Sequence, residues 1–207
     1  MTPLEALRLC ELLSARLSHE LIRPLQAIRA GCDVLDAEDK DFVTEATALL
    51  KESARQATNS LQFYRFAYGF VGSGALAGAA PHALAEAYFS GTRVACDYGE
   101  AAKERPIEWQ KLACNLLILA AEGLPRGGRV ALSRGSAGPE VEAFGDGAAL
   151  SAEALRALRR LIPLDDLGAR TVHAYFSGVL AEALGYRLNL AEQTDGRFRL
   201  VSLARSE

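Results

Sequence analysis

Ser18-His19-Glu20-Leu21-Ile22-Arg23-Pro24 lies inside a long amphipathic stretch, and its reading decides the fold of the whole chain. It sets a histidine, an adjacent carboxylate and a helix-interior proline at fixed offsets on one surface. Leu17 and Leu21 belong to an apolar stripe that also takes in Leu7, Cys10, Leu13, Leu25, Ile28, Cys32 and Leu35, at spacings of three and four or their sums. His19 falls midway between Leu17 and Leu21. Two residues turn a helix by roughly 200°, so the imidazole is predicted to face solvent. Arg16, Ile22, Arg23 and Gln26 share its side of the helix and form the candidate docking face. Two cations and a branched apolar residue around an imidazole suit an acidic pocket with an apolar rim.

The chemistry of this stretch fits phosphoryl transfer. An exposed imidazole is mostly an uncharged nucleophile at neutral pH. Glu20 is placed to hydrogen-bond the other ring nitrogen and to stabilise charge as the ring reacts. Pro24 removes one intrahelical hydrogen bond and crowds the carbonyl of Glu20, so a kink is expected there. An exposed His-Glu pair alone says little, because such pairs are common. The interior proline and the rest of the chain give it weight.

Outward from this motif, Thr2-Pro3-Leu4-Glu5 reads as a capping box with proline at the first helical position. The periodicity breaks around Asp36–Lys40. It resumes through Phe42, Ala46, Leu49, Ala57, Leu61, Tyr64 and Tyr68 on a second helix. Two long helices joined by a short turn make an antiparallel hairpin. A lone hairpin cannot cover its own apolar surface, so pairing of two copies into a four-helix bundle, a homodimer, is expected.

The glycine-rich run from Gly69 to Pro81 reads as a connector. Beyond it, helices are predicted near 82–90, 107–123, 151–161 and 171–184, and strands near 93–97, 129–134, 141–144, 187–191 and 198–203. Asp195-Gly196 marks a hairpin turn. The expected fold is α+β: a helical hairpin over 1–70, a connector over 71–80, and over 81–207 a domain with helices on one face of a mostly antiparallel sheet.

Bulk properties exclude some classes. The chain has 207 residues, half of them hydrophobic, and a formal net charge of −3. That argues against a general affinity for nucleic acid or anionic membrane. No run reaches the ~20 apolar residues of a membrane span, and no signal-type segment opens the chain. The four cysteines, Cys10, Cys32, Cys96 and Cys114, have no metal-ligand spacing and read as buried, reduced small hydrophobes, so a cytoplasmic location is expected. His82, His173 and Trp109 read as packing or capping residues.

His19-Glu20-Leu21-x-x-Pro24 resembles the H-box of sensor histidine kinases, and the later segment is similar to their ATP-binding domain in worn form. Around Gln110–Leu117 the pattern looks like the N-box, with Asn115 as its first asparagine. The second, which in that family binds Mg²⁺ and phosphate, falls on Leu119. In Phe144-Gly145-Asp146-Gly147 the adenine-binding aspartate position holds Gly145, with Asp146 one place off. The glycine-rich lid is replaced by Thr171-Val172-His173-Ala174-Tyr175-Phe176.

An intact H-box on a kinase-like body without its nucleotide ligands resembles the ChpT-type histidine phosphotransferases of bacterial phosphorelays. Phe63-Tyr64-Arg65-Phe66-Ala67-Tyr68-Gly69 and Leu184-Gly185 add to that resemblance, which spans nearly the whole chain.

It implies a phosphoryl shuttle between receiver-domain aspartates and His19. The partners implied are the receiver of a hybrid kinase and response regulators of the cell cycle. No cofactor is expected on this chain, with Mg²⁺ supplied by the receiver. Many bifunctional kinases carry Thr or Asn four places after the histidine to position a dephosphorylating water. Arg23 occupies that place here, which implies poor phosphatase activity. An active kinase with an atypical ATP site and a non-catalytic dimeric scaffold are the rival readings.

Overall fold

The computed structural model describes residues 2–36, 43–69 and 79–205. Two long helices open the chain, α1 (Pro3–Asp36) and α2 (Val43–Tyr68). The capping box forms as expected. Thr2 Oγ1 accepts from the Glu5 backbone N–H at 3.2 Å, and the Glu5 carboxylate accepts from the Thr2 N–H at 2.6 Å. α1 runs unbroken past Pro24. The turn expected after Asp36 and most of the connector expected at 71–80 lie outside the described residues.

α1 and α2 pack against each other as a hairpin, but the seam differs from the expected stripe. Leu9 and Arg16 are buried, and Leu12, Leu13, Leu17, Leu21 and Ile28 are half-buried. Leu7, Cys10, Leu25 and Cys32 stay exposed. The apolar surface of α1 is wider than α2 can cover, so the helix turns its Leu9–Leu13–Arg16 side inward. Its Leu7–Leu25 side remains on the outside.

The rest of the chain builds a layered α+β domain. Its helices are α3 (Pro81–Phe89), α4 (Glu100–Lys103), α5 (Ile107–Glu122), α6 (Ala152–Leu158) and α7 (Val172–Ala183). Its strands are β1 (Val94–Tyr98), β2 (Gly128–Arg134), β3 (Pro139–Phe144), β4 (Tyr186–Thr194) and β5 (Arg197–Ala204). They form one sheet in the order β1-β2-β3-β5-β4. β1 and β2 run parallel, and every other pair is antiparallel. The short helix α4 and a single 3-10 turn at Leu164–Asp166 were not expected, because neither is long enough to show a period.

One sheet face is apolar. Val130, Leu132, Val141, Ala143, Phe198 and Leu200 point to the helices and are buried. On the other face Arg199 pairs with Glu140 at 3.1 Å in partial solvent. Gly196 closes the β4–β5 hairpin with φ +74, a left-handed value that favours glycine. α5 lies between the sheet and the elements α2, α3 and α7. Covered on both sides, it reads as an almost continuous apolar run, with every residue from Leu112 to Ala120 buried.

The last turns of α2 fasten the hairpin to this domain. Phe63 is fully buried, stacked on Tyr88 at 4.6 Å and edge-on to Phe89 at 6.2 Å. The Tyr64 and Tyr88 hydroxyls are 3.1 Å apart. Asn59 Nδ2 donates to the Ala87 carbonyl and Asn115 Nδ2 to the Ala67 carbonyl, both at 2.9 Å. No described helix is long and apolar enough to cross a membrane.

Candidate functional site

α1 carries His19 into a cleft of about 520 Å³ between the hairpin and the second domain. His19, Glu20 and Arg23 form the α1 wall. Leu119 and Glu122 from the end of α5, Leu150 and Ser151 ahead of α6, and Arg170 ahead of α7 form the facing wall. His19 and Arg23 are exposed and Glu20 is half-buried. Ile22 and Gln26 are exposed on the outer side of the same helix. Among the described residues no hydrogen bond joins Glu20 to His19, since neighbours on a helix diverge by roughly 100°. The cleft thus gathers three of the expected residues, Arg16, Glu20 and Arg23, around His19, and adds Arg170 and Glu122, which the sequence reading did not single out.

Arg16 was expected on the docking face and is instead 6% exposed. The inward turn of α1 places it between the two domains. Its Nε–H donates to the Tyr68 hydroxyl at 3.0 Å, one terminal nitrogen to the Ala169 carbonyl at 3.1 Å, and the other to Glu122. Burial alone would favour loss of the Arg16 proton, but Glu122, Tyr68 and Glu20 hold the guanidinium charged. Burial likewise pushes the Glu122 carboxyl upward, and Arg16 opposes it.

From Tyr68 the hydrogen bonds continue inward with a fixed direction. His173 Nε2 lies 2.9 Å from the backbone carbonyl of Asn115, which can only accept, so Nε2 carries the proton. Nδ1 then accepts from the Tyr68 hydroxyl at 3.0 Å, and the Tyr68 oxygen accepts from Arg16. The chain Arg16→Tyr68→His173→Asn115 therefore has every donor used. It explains physically why Tyr68 and His173 stand out in the sequence. His173 is a packing residue, as expected.

Burial, aided by Arg16, pushes the His173 imidazole down to about 3, so it is neutral in the folded chain. The unfolded chain binds that proton below ~6.5 and the folded chain does not. The stability due to the neutral ring is complete above the unfolded value and is lost as pH falls toward the folded one. In Glu122→Gln protein, urea unfolding at pH 7 and about pH 5.5 should differ by about 1 kcal/mol, with the acidic sample weaker. The Gln background is needed because burial pushes the Glu122 carboxyl up to about 7. In the wild type it therefore takes up a proton in the folded chain over the same interval and offsets the loss from His173, while Arg16 and Tyr68 keep their charge states. Equal stability at the two pH values would contradict the assignment.

The segments that resemble a kinase nucleotide site offer neither the room nor the ligands for one. Leu119 is 1% exposed and presents hydrocarbon where a Mg²⁺ ligand would be needed. A Cβ at Gly145 would lie 2.4 Å from the Gly127 carbonyl oxygen, so no aspartate fits there without backbone movement. Asp146 turns outward and pairs with Arg126 at 2.5 Å. Asn115 is fully buried, its Nδ2 donating to the Ala67 and Lys111 carbonyls. In place of a lid, Gly168–Thr171 makes a tight turn, with Thr171 Oγ1 accepting from the Gly168 N–H at 3.1 Å. The residues present therefore do not fit a magnesium nucleotide.

The remaining candidates are structural. His82 packs near Tyr98 and Trp109 is 4% exposed beneath Arg105. Cys114 is buried and Cys96 partly so, and burial pushes both thiols up, Cys96 to about 12. Cys10 and Cys32 are exposed, contrary to expectation, because they lie on the outward side of α1.

The hairpin, the sheet domain docked on it and the histidine between them define a class: the chain belongs to the histidine phosphotransferase family. Residues 79–196 match the model of the histidine phosphotransferase C-terminal domain. Protein phosphotransferase ChpT of Brucella abortus (strain 2308) is 31% identical over 194 residues, covering 90% of this chain and 91% of that protein. A bacterial phosphotransferase solved at 1.7 Å matches with a TM-score of 0.75 at 26% identity, over 97% of this chain and 98% of that one. The protein is a phosphotransferase of the phosphorelay type.

Proposed function

We infer that His19 is the phosphoacceptor, receiving the group from a receiver-domain aspartate and returning it to another. The observation that carries this is the cleft itself: an exposed imidazole faces a wall where Leu119 stands in place of a Mg²⁺ ligand, the Glu122 carboxylate is held by Arg16, and Gly145 has no room for a side chain. A phosphoryl group must then come from outside. In the transfer, the unprotonated ring nitrogen attacks phosphorus, the acyl phosphate P–O bond breaks, and the aspartate carboxylate leaves with its electron pair. Glu20 offsets the positive charge that develops on the ring. Such a reaction needs mainly positioning and charge stabilisation. The receiver supplies the Mg²⁺; this chain holds no cofactor of its own.

In this reading residues 1–70 are the dimerisation and phosphoacceptor unit, 71–80 a connector, and 81–207 a degenerate kinase-like domain that serves as a wall. Ile22, Arg23 and Gln26 dock the receiver from α1, and Arg170 from the facing wall. The donor is the receiver of a hybrid kinase and the acceptors are response regulators, in the cytoplasm, with cell-cycle control as the output. The test offers the protein radiolabelled ATP with Mg²⁺, then a phosphorylated receiver without ATP. Label is expected only in the second case. Label from ATP alone would favour an autokinase.

The exposed apolar residues support a homodimer. Among the described residues, all but one of the large exposed hydrophobics lie on the hairpin, and apart from Ile22, which faces the receiver in this reading, Leu4, Leu7, Leu25, Val34, Val43, Leu49 and Leu61 remain for a second copy to cover. Concentration on one element marks a surface that a partner covers. Leu25→Asp, placing a charge mid-way along this face, should shift the protein from dimer to monomer in sedimentation equilibrium. A wild type that sediments as a monomer would contradict the bundle.

A further inference from the structure

The geometry points to Arg16 as a positioning residue: a buried clamp that fixes the second domain against α1 and so holds the docking cleft open in one shape beside His19. The inference rests on His19 being the phosphoacceptor, and assigns to its neighbour one turn earlier a role in receiver binding.

Arg16 joins elements that are far apart in sequence. Its single guanidinium reaches the end of α2 through Tyr68, the end of α5 through Glu122, and the turn before α7 through the Ala169 carbonyl. Ala169 is the neighbour of Arg170, which lies across the cleft from His19. Arg16 is three residues before His19, on the adjoining turn of the same helix. One side chain thus sets the rotation of α1 at the phosphoacceptor, the place of Arg170, and the floor at Glu122.

Stability alone does not account for this residue. A buried ion pair recovers little more than its own desolvation, and an apolar side chain of similar volume commonly serves a core as well. What an apolar side chain cannot do is bind three separate groups with fixed direction. Guanidinium, with its planar fork of five N–H donors, can. The chain continues through Tyr68 and His173 to Asn115, so the orientation of the clamp is set by the core of the second domain and not by solvent. The wall facing His19 is consequently preformed. The receiver meets a rigid two-sided site and does not have to order it on binding, which lowers the cost of association.

The test uses the full chain, with Arg16→Met, Arg16→Lys and Tyr68→Phe. Initial rates of transfer from a phosphorylated receiver are measured against receiver concentration. His19 labelling by phosphoramidate, a donor too small to need the wall, is measured in parallel. Arg16→Met should raise KM for the receiver about tenfold or more, with kcat changed far less and phosphoramidate labelling unchanged. Arg16→Lys, which keeps the charge but not the fork, should fall between Met and wild type. Tyr68→Phe should move KM the same way, and it decides the matter if Arg16→Met does not fold.

An unchanged KM in the folded variants overturns the clamp. So does an equal loss with both donors, which would place Arg16 in the chemistry of His19. Amide hydrogen exchange over 168–175 gives a reading independent of transfer: it should quicken in the folded Arg16 variant, and unchanged exchange also overturns the clamp. If wild type takes no group from any receiver, the His19 reading fails, while the exchange result still decides the clamp.

Discussion

His19→Ala should take no phosphoryl group from a phosphorylated receiver, with signal falling to that of a chain-free control. The loss is total in principle, because the variant lacks the nucleophile and no other exposed histidine lines the cleft. His19 is exposed and makes no packing contact that the core depends on, so stability should change by no more than about 0.5 kcal/mol. A folded but inactive variant would thus locate the defect in chemistry. The same protein also probes Arg23. Kinases that dephosphorylate their partners hold a water with a small polar residue four places after the histidine, and an arginine there has no acceptor with which to orient it. His19→Ala should leave the lifetime of the receiver's aspartyl phosphate unchanged. Faster hydrolysis in its presence would contradict the relay reading.

Phe63→Ala should lower stability by about 3–5 kcal/mol, a large part of the ~5–15 kcal/mol available to a folded domain. Phe63 is fully buried and sits where α2 meets α3, against Tyr88 and Phe89. Truncation removes an aromatic ring and leaves a cavity that α5 and α3, both already packed, cannot fill. For a chain of this size the melting temperature should fall by roughly 10 °C, read by circular dichroism at fixed protein concentration. Because the lost contact joins hairpin to domain, one cooperative transition should move as a whole. A wild-type melt in two separate steps, or a shift of only a degree or two, would show that the units are not coupled through this cluster.

The helices and strands were legible because their periods are long and their ends are marked. The capping box at Thr2–Glu5, Pro106 ahead of α5 and Asp195-Gly196 between β4 and β5 all act locally, so sequence shows them. The face of α1 was harder. Two apolar lines run along it, one through Leu7, Cys10 and Leu25, the other through Leu9, Leu13 and Leu17. Only the tertiary partner decides which goes inward. That choice buries Arg16, which looked like a surface cation beside His19. A signal was available: Leu9, Leu13, Arg16 and Glu20 share one helical side. Glu122 could also have been noticed, as the sole charge between Lys111 and Arg126 in an otherwise apolar run. Arg170 had no such mark, because it reaches the cleft through a turn held by Arg16.

The closing of the nucleotide site shows the same division. Leu119 in place of a polar ligand can be read from the sequence. That Gly145 has no room for a side chain cannot, since the obstacle is the Gly127 carbonyl on a neighbouring turn.

The central claim is that His19 takes its phosphoryl group from a receiver aspartate. Its most direct test is to mix wild-type protein with a phosphorylated receiver, without ATP, and to map the modified residue by mass spectrometry under alkaline conditions that preserve phosphohistidine. The account predicts one modified residue, His19, in the peptide spanning Ser18–Arg23. Phosphate on any other residue, or none on the chain while the receiver loses its own, would contradict it.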